Sequence, residues 1–157
     1  MVKALRHHKK TQRNPVNKTK IMKFGNLQRR WQETKPQVYN KETRIVCLDI
    51  VEESQTITEG EESVVKEGFS FIPVEIDSQI DYGHIKSQLI EAGFAQKDEF
   101  GLLMNAVDDI LKAITANSTI SSIKEALNTE DVNAFIEFCE FRSMCAEAAK
   151  EVMKFYK

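Results

Sequence analysis

The chain has 157 residues, enough for one ordinary domain plus an appendage. Hydrophobic residues at 41% and charged ones at 29% are typical of a globular protein, and no apolar run nears the roughly 18 to 20 residues of a membrane span, so no membrane partner is expected. The net charge of −2 hides a division: residues 1–44 hold 13 of the 22 Lys and Arg with two acids (+11), and residues 45–157 hold the other 22 acids (−13).

Residues 1–44 therefore read as a basic, extended arm on an acidic body of residues 45–157. The N-terminus has charge without an apolar core, so it does not read as a secretory signal. The tract from His7 to Pro15 is polar, and alone it buries too little surface to offset its ordering entropy. Further on, Ile21, Met22, Phe24, Leu27 and Trp31 recur between Lys20, Lys23, Arg29 and Arg30. The spacing is compatible with one short amphipathic turn or helix, weakened by Gly25. The segment reads either as a docking element with Phe24 and Trp31 as aromatic anchors, or as a linker packing on its own domain. The candidate partner-binding residues are Arg6, Lys9, Lys10, Arg13, Lys20, Lys23, Phe24, Arg29, Arg30 and Trp31.

The β-branched run from Arg44 to Val51 predicts a strand. Residues 52–66 are acidic and polar, with Gly60 near the middle, and predict a loop or hairpin tip whose Thr56, Ile57, Val64 and Val65 can add short edge strands. From Phe69 to Asp77 the alternation turns Ile72, Val74 and Ile76 toward a core. Pro73 cannot donate to a ladder and points to an edge position or a bulge.

The period becomes helical from Asp81, a predicted N-cap for a helix carrying Ile85, Leu89 and Ile90. Gly93 ends it and Phe94 packs back. Asp98 and Glu99 open a second helix with an apolar set of Phe100, Leu103, Met104, Val107, Leu111 and Ile114. A short helix over residues 120–127 and a long one from Thr129 to about Tyr156 follow. In the last helix Ala134, Phe138, Phe141, Cys145, Ala148, Val152 and Phe155 alternate spacings of 4 and 3. That stripe fits a bundle core, or in part an oligomer interface.

The residues do not spell out a reaction. His84 has no Cys or His at ligand spacing, and the six glycines form no phosphate-binding loop, so neither metal nor cofactor is expected. The paired acids lack an inferable geometry, and no serine sits in a nucleophile context, so the chain reads as non-enzymatic. Cys47, Cys139 and Cys145 form no disulfide framework and read as buried small hydrophobes in a reducing compartment. The arm offers phosphate contacts plus stacking surfaces for nucleic acid, or a cationic strap for acidic protein subunits. The acidic body disfavours a polyanion.

The run Tyr82-Gly83-His84-Ile85-Lys86-Ser87-Gln88-Leu89-Ile90-Glu91-Ala92-Gly93-Phe94, then Lys97-Asp98-Glu99-Phe100 and Leu102-Leu103-Met104-Asn105, resembles a C-terminal module of tailed-bacteriophage structural proteins. Such modules occur in phages of gut Bacteroidota, crAss-like ones included. The closing Ala134-Phe135-Ile136-Glu137-Phe138-Cys139-Glu140-Phe141-Arg142 and Ala146-Glu147-Ala148-Ala149-Lys150 are similar to the module's terminal helix. The resemblance implies a non-enzymatic virion component of a head or tail, found in the virion or host cytoplasm, and carries over no catalytic residue. The sequence thus predicts an α+β fold, with a small antiparallel sheet over residues 45–77 and helices over residues 82–156. The expected role is assembly with other protein subunits. The alternatives are a nucleic-acid accessory factor, or a small regulator of a host protein.

Overall fold

The computed structural model describes residues 27–59 and 62–157. The fold is α+β. Four antiparallel strands, β1 (Arg30–Gln32), β2 (Tyr39–Asn40), β3 (Ile45–Glu59) and β4 (Glu62–Glu75), lie in the order β1-β4-β3-β2. Helices α1 (Tyr82–Gly93), α2 (Gln96–Ala116), α3 (Ile120–Ala126) and α4 (Glu130–Lys154) follow.

The core lies where one end of the sheet meets α1 and α4. Tyr39, Val46, Leu48, Ile72, Val74 and Ile76 close on Ile85 and Leu89 from α1 and on Phe138, Phe141, Cys145 and Val152 from α4. The alternation of β4 thus buries the predicted side chains. Helix starts also follow the sequence, because their causes are local: Asp81, Thr119 and Thr129 each accept a backbone N–H three residues on, from His84, Ser122 and Val132. Phe94 closes α1 and packs edge-on against Phe138 and at a tilt against Phe141, at 5.1 and 5.3 Å between ring centroids.

Three expectations are corrected. Of the two readings of segment 52–66 the hairpin holds and the loop does not: β3 and β4 pair from Ile45↔Glu75 to Glu59↔Glu62, with one register shift between Leu48 and Val51. Backbone hydrogen bonds hold this hairpin although no described side chain over residues 51–67 is buried. The arm boundary at residue 44 also moves. Residues 1–26 lie outside the described residues, whereas β1 and β2 fall within 27–44 and belong to the sheet. Finally, only Cys145 is buried; Cys47 is half-buried, and Cys139 sits on the outer side of α4, exposed. Burial pushes the Cys145 thiol up to about 12.

Pro73 behaves as an edge residue within an inner strand. Its partner Cys47 donates its N–H to Val38 O (2.8 Å), away from β4, so that pair exchanges no ladder bond. The β1 pairing ends at Phe71, so the missing donor of Pro73 faces no strand among the described residues.

Helix α2 packs on α4 in an unexpected orientation. Its small residues, Ala106 and Ala113, are the buried ones. The apolar set Phe100, Leu103, Met104, Val107, Leu111 and Ile114 faces outward.

Candidate functional site

Of the predicted contact residues, Arg6, Lys9, Lys10, Arg13, Lys20, Lys23 and Phe24 lie outside the described residues. Arg29, Arg30 and Trp31 are brought together at β1, where they do three different things. The Arg29 guanidinium is spent inside the protein. Its Nη1 pairs with Asp49 Oδ2 (2.5 Å), its Nη2 donates to Asp49 O (2.8 Å), and its Nε donates to Ser70 Oγ (2.6 Å). Arg29 and Asp49 are each less than one-fifth exposed, and Ser70 is buried. A part-buried guanidinium needs such partners because its desolvation is otherwise uncompensated.

The lock sits on a β-bulge. The β3–β4 register jumps from Leu48↔Ile72 to Val51↔Ser70, so Asp49 and Ile50 oppose Phe71 alone. Asp49 takes φ 47°, a left-handed conformation that Asp tolerates better than most residues. The extra residue turns the Asp49 carboxylate and carbonyl together toward Arg29. Asp49 and Ser70 were not singled out in the sequence, although a charge within the run 45–51 signals an inward group that needs a partner.

Trp31 is half-buried in its own sheet. The indole crosses Gly68 and its Nε1 donates to Glu53 O on the next strand (2.8 Å). A Cβ on Gly68 would lie 2.5 Å from both the indole and Gln32 O, so only glycine allows this approach. The aromatic anchor is thus intramolecular. Arg30 points out and is exposed.

An open groove beside this lock is lined by Glu33, Glu52, Glu53, Ser54, Glu67, Gly68 and Phe69. Lys66 reaches Glu33 (3.4 Å), and Lys35 lies 6.0 Å over the Phe69 ring, so four carboxylates share the groove with two cations at its rim. Its walls present acceptors and negative charge, suited to a cationic segment.

A second polar cluster joins the sheet to the helices. His84 Nε2 meets Asp77 Oδ2 at 2.7 Å, Gln88 Nε2 donates to the same oxygen (2.5 Å), and Gln79 N–H donates to Asp77 Oδ1 (2.8 Å). The hydrogen bond to Asp77 raises the His84 pKa above 6.5, and the charges of Asp77, Asp81 and Glu91 add to it. The same bond, with the Gln79 N–H, lowers Asp77 below 3.8. The cluster ties the end of β4 to α1. His84 stabilisation is full below pH 6.5 and fades as pH rises through its higher folded value; that of Asp77 fades as pH falls through its lowered value. An NMR titration is expected to give a His84 midpoint above 6.5 that drops in Asp77→Asn. An unchanged midpoint in that variant would exclude the tie.

Among the described residues no group of three or more His, Cys, Asp or Glu gathers at metal-binding distance, and no helix is long and apolar enough to cross a membrane. In comparison with known proteins, no family model, no curated protein and no solved structure matches the chain.

Proposed function

We propose that the protein is a non-enzymatic architectural subunit of a multi-subunit particle, whose basic N-terminal segment docks on neighbouring acidic subunits. The observation that carries this reading is the charge division at the edge of the described body. Residues 1–26 contain eight Lys and Arg and no acid, while all 24 acids follow them. With Arg29 and Trp31 committed to the sheet, docking falls to Arg6, Lys9, Lys10, Arg13, Lys20, Lys23 and Phe24, joined by exposed Arg30. The groove of Glu33, Glu52, Glu53 and Glu67 on a neighbour has the complementary charge. A body at −10 beside the segment favours protein over nucleic acid, because it repels phosphates. The resemblance of residues 82–157 to tailed-phage structural modules points to a virion head or tail as the particle.

The full-length chain is expected to form assemblies larger than a dimer in sedimentation at about 50 mM NaCl and to lose them by about 0.5 M, where the Debye length falls to roughly 4 Å and contacts between exposed charges are screened. Lys9→Glu, Lys10→Glu and Arg13→Glu together should abolish them. Binding to a generic DNA duplex should stay weak, with Kd on the order of 10⁻⁴ to 10⁻⁶ M at physiological salt. A sequence-selective nanomolar DNA complex would replace this reading with a nucleic-acid one.

A further inference from the structure

Among the described residues, the outward face of α2 gathers six exposed large hydrophobic side chains. Phe100, Leu103, Met104, Val107, Leu111 and Ile114 are each between 37% and 66% exposed, while Ala106 and Ala113, roughly 120° around the helix, are 0% and 4% exposed. A helix that shows its large side chains to solvent and its alanines to the core has the polarity of an interface element. We propose that this face is the contact of a homodimer, in which α2 of one chain packs antiparallel on α2 of a second copy.

The arrangement of the stripe selects this occupant. The stripe is nearly palindromic about Val107: Leu103 and Leu111 stand four residues to either side and Phe100 and Ile114 seven, while Met104 is matched at three residues by the half-buried Ile110. A twofold axis through Val107 therefore sets Phe100 against Ile114 of the copy and Leu103 against Leu111, the self-complementarity that an isologous contact requires. In this register Asp98 and Glu99 stand level with Ala116 and Thr115 of the copy, far from its acids. Asp108 and Asp109 lie about 3 and 6 Å along the axis from their own copies, where Lys112 pairs with both.

The area suffices for a modest dimer. At those exposures the six side chains offer roughly 500 Å² per chain, about 1,000 Å² for the pair before flanking residues, which is near the threshold for a specific interface. Because the seam is apolar, the dimer persists at about 0.5 M NaCl, where surface charge is screened. It thus differs from the salt-sensitive assembly of the N-terminal segment, and either can fail without the other.

The test uses the full-length chain at that salt. Sedimentation should give twice the mass of one chain for the wild type and the monomer mass for Val107→Glu and Leu111→Glu, with helical circular dichroism unchanged. Register is read by a short bismaleimide in a Cys139→Ser background. Val107→Cys, on the axis, should cross-link to itself. Phe100→Cys and Ile114→Cys should not, since each lies about 21 Å from its own copy at 1.5 Å rise per residue, yet a mixture of the two should. A monomeric wild type overturns the proposal, as does self-cross-linking of Phe100→Cys or Ile114→Cys, which would mark a parallel or different contact.

Discussion

Replacing Tyr39 with alanine is expected to cost about 3 to 5 kcal/mol, the range for emptying a fully buried aromatic site. Tyr39 is 0% exposed and stands at the centre of a closure between the sheet and the end of α4. Its ring meets Phe155 edge-on at 5.5 Å, and its hydroxyl lies 2.8 Å from that of Tyr156. Lys41 covers the outer face of the Tyr156 ring at 4.7 Å. For a chain of this length the loss corresponds to a Tm lower by on the order of 10 °C. Tyr39→Phe keeps the packing and removes only the hydroxyl pair, so its cost is about 1 kcal/mol. Burial and the Tyr156 hydrogen bond push the Tyr39 phenol up from 10.0 to about 12. Its contribution is therefore complete below pH 10 and lost as pH rises toward 12, an alkaline decline that Tyr39→Phe should lack. Thermal melts of both variants across pH 8 to 11.5 measure each part. Equal melting temperatures for wild type and Tyr39→Ala would contradict the closure.

Gly68→Val should detach β1 from the sheet. A side chain there meets Gln32 O, which is backbone and can move only with its strand, as well as the indole of Trp31. The expected cost is about 3 kcal/mol, the upper end for overpacking a tight site. Trp31 is the one tryptophan of the chain, so its emission reports the event directly. In the wild type it should be blue-shifted and protected from quencher; in Gly68→Val it should shift to the red and become accessible, while the helices persist. Trp31→Ala combined with Gly68→Val should cost less than the sum of the single changes, since the indole half of the clash is gone. A variant with unchanged emission and melting temperature would show that the indole does not cross Gly68.

What could be read in advance was what short-range chemistry dictates. Asp81 and Thr129 announce their helices because a cap acts within one turn. Ile72, Val74 and Ile76 announce a buried strand face through their alternation. Strands of three and two residues, such as β1 and β2, are too short to carry a period, and they exist only because distant strands accept them. No described side chain over residues 51–67 is buried to create a pattern, so polar composition there left loop and hairpin tip both open. At the candidate site, Trp31 and Arg29 stood out for their chemistry, but the partners that claim them, Gly68, Glu53, Asp49 and Ser70, are 20 to 41 residues away. The orientation of α2 escaped for a related reason. Periodicity shows that one face is apolar without showing whether that face or the alanine side meets the rest of the protein.

The tyrosine closure also bears on how the chain folds as it is made. Tyr39 and Tyr156 are 117 residues apart, so β2 leaves the ribosome long before the end of α4 exists. At about 5 to 20 residues per second the interval is roughly 6 to 23 s. During it the hairpin of β3 and β4 can form from neighbours in sequence, but Tyr39 has no aromatic partners to cover it. Completion of the core is thereby postponed until the last helix is released. A nascent chain interrupted before Phe155 would carry an unfinished apolar surface, the kind of species on which chaperones and proteases act.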